Sequence, residues 1–185
     1  MNRLKEKLSV REIKISDIEY LLQYWYNLSE KQLERMGATK SLMPAYEDFY
    51  ENIYAQIQLP YDQKQTYVII WLYEKRAIGH CNVNKIIYGK EAYMHLHLWK
   101  ENRRQKGSGS ILVKKSIPYF FKNLQLDNLF CEPFAQNPAP NRLLQKIGFD
   151  FEKEYVTKPG SINYEQSVRR YAMSRKQCEE LLLIS

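Results

Sequence analysis

Residues 100–124 constrain this chain more than any other stretch. A hydrophilic, basic run, Lys100-Glu101-Asn102-Arg103-Arg104-Gln105-Lys106-Gly107-Ser108-Gly109-Ser110, succeeds an alternating strand pattern and leads straight into an amphipathic helix. A strand, a glycine-bearing turn and a helix start together make an anion site. Small residues let successive backbone N–H groups converge, and the positive end of the helix dipole lies behind them. Four of the seven residues from 100 to 106 are basic, which suits a polyanionic phosphate ligand. A solvated basic loop capping a helix would carry the same charge, so charge alone does not decide between the two.

The loop is neither of the two common phosphate loops. A P-loop has Lys and then Ser or Thr after its last glycine, whereas Ser110-Ile111 comes after Gly109 here. A Rossmann turn has a third glycine three residues after the second, and Leu112 stands at that place. What remains, Arg104-x-x-Gly107-x-Gly109, resembles the pyrophosphate loop of the GCN5-related N-acetyltransferase (GNAT) family. Further on, after an apolar strand at 128–134, comes Asn137-Pro138-Ala139-Pro140-Asn141-Arg142-Leu143-Leu144-Gln145-Lys146-Ile147-Gly148-Phe149. This is similar to the family's second motif, an Asn followed by a short helix ending in Lys-x-Gly-Phe. The resemblance covers residues 67–175 through its motifs and the N-terminal part by layout. Within the family it lies nearest the RimJ/RimL-type and the antibiotic- or siderophore-modifying branches.

Composition bounds the reading. A chain of 185 residues suits one domain with a real core, and 44% hydrophobic residues mark it as globular. No linker, repeat or low-complexity tract divides it, so residues 1–185 are expected to form a single domain. Met1-Asn2-Arg3-Leu4-Lys5-Glu6-Lys7 lacks the apolar centre of a signal peptide, and no apolar run is long enough to span a bilayer. A cytoplasmic location with no membrane partner is expected. Cys81, Cys131 and Cys178 are odd in number and scattered, as reduced thiols would be. The net charge of +7 comes without any nucleic-acid-binding signature, so no nucleic-acid partner is expected.

Along the chain, residues 9–15 alternate as a strand, and Ser16-Asp17-Ile18-Glu19 has the form of a capping box opening a helix. Residues 29–36 read as a short helix ended by Gly37, and 44–59 as a longer one carrying Tyr46, Phe49, Tyr50, Ile53, Tyr54 and Ile57 along one side. Residues 67–74 and 78–87 read as antiparallel strands, and 92–99 as a strict alternation. In that fourth strand Met94, Leu96 and Leu98 oppose Tyr93, His95, His97 and Trp99. Val113, Ile117, Phe120, Phe121 and Leu124 give the next helix its buried side, with a kink expected at Pro118. Asn137 is the expected N-cap of the helix after that and Gly148 its terminator. Residues 149–157 and 166–175 read as closing strands. The resemblance implies an α/β (α+β) GNAT fold: a mixed, mostly antiparallel sheet of about seven strands, splayed between strands 4 and 5 and flanked by about four helices.

From the family, acetyl-CoA is the expected cosubstrate. The resemblance assigns its pantetheine arm to the backbones of His97, Leu98 and Trp99, where a splayed strand lacks its partner. It assigns the pyrophosphate to Arg104, Gln105, Lys106, Gly107, Ser108, Gly109 and Ser110, and includes Asn137 in the cofactor site. The implied reaction is transfer of the acetyl group to a primary amine of a small molecule or peptide, by direct attack in a ternary complex. Glu132 is the leading base, because it lies five residues before Asn137, where one branch of the family carries its proton acceptor. Either His97 or His95, on one strand face, could replace or assist it, or be structural, and Glu132 could instead serve only to bind a cationic acceptor. The histidines lack a third ligand at recognisable spacing, so no metal is expected. The family often has a Tyr seven residues after the Asn to protonate the departing thiolate, but Leu144 stands there. Tyr155 and Tyr171 are the candidates to replace it. That departure leaves a noncatalytic acyl-CoA-binding or sensor domain as the alternative. The C-terminal edge strand leaves a homodimer possible.

Calorimetry tests the loop assignment. Acetyl-CoA is expected to bind at micromolar concentration, and Gly107→Trp is expected to abolish that binding.

Overall fold

Strand β2 (Tyr67–Tyr73) is an unbroken run of bulky residues because both of its faces are covered. Tyr67, Ile69 and Trp71 enter one core, while Val68, Ile70 and Leu72 enter another on the opposite face. The computed structural model describes residues 2–99 and 107–184. Its sheet has seven strands in the order β1-β2-β3-β4-β5-β7-β6. The others are β1 (Leu8–Glu12), β3 (Arg76–Ile87), β4 (Glu91–Leu98), β5 (Asn128–Cys131), β6 (Asp150–Thr157) and β7 (Gln166–Ser174). All neighbours pair antiparallel except β4 and β5, which run parallel. A parallel pair needs a crossover, and α5 (Ser108–Asn123) supplies it.

Helix α5 packs on one face of the sheet through Leu112, Val113, Ile117, Phe120 and Phe121, all buried. It is pinned there by a polar relay. The Trp71 indole N–H donates to Ser116 Oγ at 2.9 Å, and that hydroxyl donates to the Leu112 carbonyl at 2.9 Å. Pro118 stands inside α5, and the helix continues beyond it to Asn123. Helix α6 (Pro138–Ile147) shares this core through Leu144 and Ile147, and ends at Gly148, whose φ is +101°.

The opposite face is covered by α2 (Ile18–Tyr26), α3 (Glu30–Glu34) and α4 (Tyr46–Gln58), with Ile18, Leu21, Leu22, Trp25, Leu33 and Ile53 buried. The aromatic side of α4 packs only at the margin of this core: Tyr46, Phe49, Tyr50 and Ile57 are partly buried. The predicted first helix starts as a 3-10 turn at Ile15–Asp17. Asp17, rather than Ser16, does the local work there. It accepts both Arg11 guanidinium nitrogens, at 2.5 and 2.8 Å, and the Lys14 amide at 2.8 Å. This anchors α2 to β1.

The expectation of about four helices is corrected to seven among the described residues. Two were not foreseen, α1 (Asn2–Lys7) and α7 (Arg175–Ile184). Helix α7 begins with a reciprocal cap: Ser174 Oγ accepts the Gln177 amide while Gln177 Oε1 accepts the Ser174 amide. Among the described residues no helix is long and apolar enough to cross a membrane.

Asp17 is 3% exposed, so removing its partner leaves a carboxylate without compensation. Arg11→Met is expected to destabilise the fold by about 3 kcal/mol in urea denaturation. The double variant Arg11→Met/Asp17→Leu is expected to recover part of that loss.

Candidate active site

The site is built where β4 and β5 part. Their ladder runs from Glu91↔Asn128 to Met94↔Cys131 and stops there. Beyond that rung each strand stays with its other neighbour. On the β4 side, residues through Leu98 remain paired to β3, and the Trp99 amide donates to the Ile78 carbonyl at 2.9 Å. On the β5 side, the Arg169 amide donates to the Pro133 carbonyl at 3.1 Å and the Ala135 amide to the Ser167 carbonyl at 2.9 Å. The chain after Cys131 therefore tracks β7 and leaves β4. The Cys131 thiol bridges the last rung by donating to the Met94 carbonyl at 3.1 Å.

Backbone direction alternates along a strand, so the Trp99 bond fixes which β4 groups face the gap. Trp99 and His97 turn toward β3. In agreement, a Cβ on Gly79 would lie 2.4 Å from the His97 carbonyl oxygen. The amides of Leu96 and Leu98 turn toward the gap. Of the three backbones assigned to pantetheine from the sequence, Leu98 alone presents its amide there, and Leu96, which the sequence did not single out, is the second.

Arg104, Gln105 and Lys106 lie outside the described residues. Gly107 is the N-cap of α5, with φ +92°, a conformation that side chains rarely adopt. Behind it the amides of Ser108, Gly109 and Ser110 are the first of the helix, without intrahelical acceptors. Ser108 is buried, and Gly109 approaches α6, where a Cβ would meet Leu143 at 3.8 Å.

A cleft with about 570 Å³ of space, part of it open solvent, lies at the gap. Its floor includes His95, His97 and Glu132, and Asn137 lies at its edge. Asn137 caps α6, its Oδ1 accepting the Ala139 amide at 3.4 Å. The far wall is the loop between β6 and β7 with the first residue of β7, where Pro159, Asn163 and Gln166 reach the cleft. That loop is tied to the end of α3: Asn163 Nδ2 donates to the Gly37 carbonyl at 2.9 Å and Gln166 Nε2 to the same carbonyl at 3.2 Å. Gly37 permits the contact, because a Cβ there would overlap the Gln166 amide.

Glu132 is 8% exposed, and its Oε1 accepts a hydrogen bond from the Tyr155 hydroxyl. Burial first, and then this bond, push the Tyr155 phenol up to about 12, so it stays a donor at neutral pH. Leu144 is fully buried in the apolar core and offers no proton. Tyr171 is also buried on that side of the sheet, in the core cluster that holds Leu144.

The histidines form a packed group. The His80 and His97 rings stack at 4.5 Å, the Trp25 ring lies 4.7 Å from His97, and the Trp99 indole N–H donates to His80 Nδ1 at 2.8 Å. His97 Nδ1 meets the Tyr24 hydroxyl at 3.3 Å, and His95 Nε2 meets Asn84 Oδ1 at 3.0 Å. Burial is the main cause holding all three imidazoles neutral. It brings His95 down to about 4, with help from the Lys85 charge, His80 down to about 3, and His97 well below its ordinary value. Among the described residues no group of three or more His, Cys, Asp or Glu side chains is placed to hold a metal ion.

A family model described as Acetyltransferase (GNAT) domain matches residues 7–150. The chain belongs to the GNAT acetyltransferase family. By that family it is an acetyltransferase. No curated protein matches the sequence. Solved structures show the fold. A spermidine N-acetyltransferase from Vibrio cholerae in complex with CoA and spermine superposes with a TM-score of 0.73 at 17% identity, over 94% of this chain and 99% of its own. The ribosomal L7/L12 alpha-N-protein acetyltransferase RimL, in complex with coenzyme A, does so with 0.71 at 16% identity, over 92% and 96%. A dodecameric form of the Vibrio cholerae spermidine enzyme gives 0.71 at 16% identity, over 93% and 96%.

Because the folded imidazoles sit below their ordinary value of about 6.5, the unfolded chain binds protons first as pH falls. Stability is therefore expected to be intact above pH 6.5 and to decline below it, by up to about 1.4 kcal/mol per pH unit for each histidine. The decline should end only near the folded values. Denaturant titrations at a series of pH values measure the slope. Imidazole NMR is expected to show no titration between pH 5 and 8 in the folded state.

Proposed function

We propose that residues 1–185 act as one acetyltransferase domain that acetylates a primary amine of a small molecule or peptide by direct attack within a ternary complex. The observation that carries the reading is the interrupted β4–β5 ladder with a buried carboxylate at its opening. The amides of Leu96 and Leu98 pair with the amide groups of the pantetheine arm, standing in for the missing strand. The diphosphate rests on the amides of Gly107, Ser108, Gly109 and Ser110, where the α5 dipole favours negative charge. Arg104, Gln105 and Lys106 complete that loop, and Asn137 shapes the edge by starting α6.

In this arrangement the thioester carbonyl lies at the cleft floor and the acceptor enters between the β6–β7 loop and α3. The acceptor arrives as an ammonium and gives one proton to solvent; the neutral nitrogen then attacks the carbonyl carbon, the carbonyl oxygen gains the charge, and the nitrogen becomes cationic. Glu132 takes the nitrogen's proton, directly or through a water, and Tyr155 holds the carboxylate in place. Collapse of the adduct breaks the C–S bond and releases the thiolate, which takes its proton from solvent or from a nearby phenol. His97 and His95 serve as neutral walls of the cleft. Protonating either would place a cation in a desolvated site, beside Lys85 in the case of His95, a poorer outcome than neutralising Glu132.

The outer edge of β6, with Phe151 and Val156 exposed, is where a second copy would add to the sheet. The reading places the work in the cytoplasm, with no metal, membrane or nucleic acid involved.

Thiol release from acetyl-CoA against a broad amine library tests the activity. Glu132→Gln is expected to lower kcat by about 10- to 1000-fold while acetyl-CoA affinity holds. Wild-type turnover in that variant would move the proton acceptor to His97.

A further inference from the structure

Charge around the cleft limits what kind of amine it takes. Among the described residues that line it, Glu132 is the one ionised group of either sign, since His95 and His97 are held neutral. The rest of the wall is thioether, aromatic, proline and amide, from Met36, Phe134, Pro159, Asn163 and Gln166. An ammonium bound at Glu132 is matched one to one. A second ammonium on the same molecule meets no carboxylate.

Cations lie just outside that lining. The sheet face that carries Glu132 also carries Tyr93, Phe130, Tyr155 and Arg170, by the alternation and register of β4 to β7. Lys153 Nζ sits 4.7 Å from the centre of the Tyr155 ring, the same ring whose hydroxyl reaches Glu132. Lys85 Nζ sits 5.1 Å from the Tyr93 ring and is close enough to His95 to help keep it neutral. Arg170 lies 3.9 Å over the Phe130 ring and is balanced by Glu152, whose Oε2 is 3.0 Å from its Nε. Once that pair is cancelled, Glu132 and, further back along β4, Glu91 share the face with Lys85 and Lys153, and Lys153 is the cation beside the Tyr155–Glu132 pair.

Resting on the acetyl-transfer reading above, we infer that the acceptor carries a single positive charge, the amine that reacts, on a body that is uncharged or anionic, and that polyamines are discriminated against. Lys153 acts as a specificity-determining residue by repelling a second ammonium. Apolar contact with Met36, Phe134 and Pro159 is available to the body, and the amides of Asn163 and Gln166 flank it. Both a small monoamine and a peptide amino terminus present this chemistry.

The test measures kcat/KM with acetyl-CoA for four acceptors: spermidine, an aromatic monoamine, and two short peptides with free amino termini, one neutral and one acidic. The monoamine or a peptide is expected to exceed spermidine by roughly 3- to 20-fold at low salt, a margin that shrinks as ionic strength rises. The small-molecule and peptide arms separate the two sources. Lys153→Glu is expected to shift the spermidine-to-monoamine ratio toward spermidine by roughly 3- to 10-fold, and Lys153→Arg to leave it unchanged. Lys153 is exposed, so neither variant threatens the fold. Preference for spermidine in the wild-type enzyme, or a ratio indifferent to Lys153→Glu, overturns the inference while acetyl transfer stands. Absence of turnover with all four acceptors and with the broad library overturns the acetyl-transfer reading and the inference with it.

Discussion

The structure depends on one broken ladder. Four rungs hold β4 to β5, and past Met94↔Cys131 β4 runs on to Leu98 while the chain leaving β5 turns away from it. β4 stays with β3 through Trp99, and the continuation of β5 stays with β7 through Pro133 and Ala135. Backbone groups that face the gap have been withdrawn from the sheet, and buried amides do not remain without partners at low cost. The opening therefore offers the backbone groups that the proposed pantetheine pairing would use, and it follows from the strand order itself.

The rest of the molecule holds that opening in place and gives it chemistry. Helix α5 crosses from β4 to β5 and points its first amides at the same end of the sheet, with Gly107 in the left-handed conformation that starts it. The Trp71–Ser116 bond and the residues around it keep α5 from sliding. On the other side, the Arg11–Asp17 pair fixes α2, and the Gly37 contacts fix the β6–β7 loop to the end of α3. Glu132 comes directly after the last rung, so the carboxylate stands at the point where the strands part. Tyr155 comes from β6, two strands away, and holds it there.

Much of this was legible in the sequence because periodicity and small residues report locally. The alternation at 92–99, the buried side of α5, the Asn137 cap and the Gly148 stop all appear within a residue or two of where they were expected. The site was legible only in part. Which β4 amides face the gap depends on register with β3, which spacing within one strand does not reveal. Tyr155 lies 23 residues from Glu132 and meets it through sheet order, not through a motif. The surroundings of the histidines were not legible for a similar reason: His80 and His97 stack across β3 and β4 while His95 meets Asn84, pairings set by register. Helix α7 did leave a signal, the Ser174-x-x-Gln177 box, but it opens beside a strand end, where the strand pattern masks it.

The central claim is that the β4 edge at Leu96 and Leu98 is an unfilled strand-pairing site for the pantetheine arm. Amide hydrogen exchange measures this directly. Adding acetyl-CoA is expected to slow exchange at Leu96 and Leu98 by roughly 10-fold or more, leaving His97 and Trp99, already turned toward β3, little changed. Saturation with acetyl-CoA that leaves Leu96 and Leu98 exchanging at their free rates would contradict it.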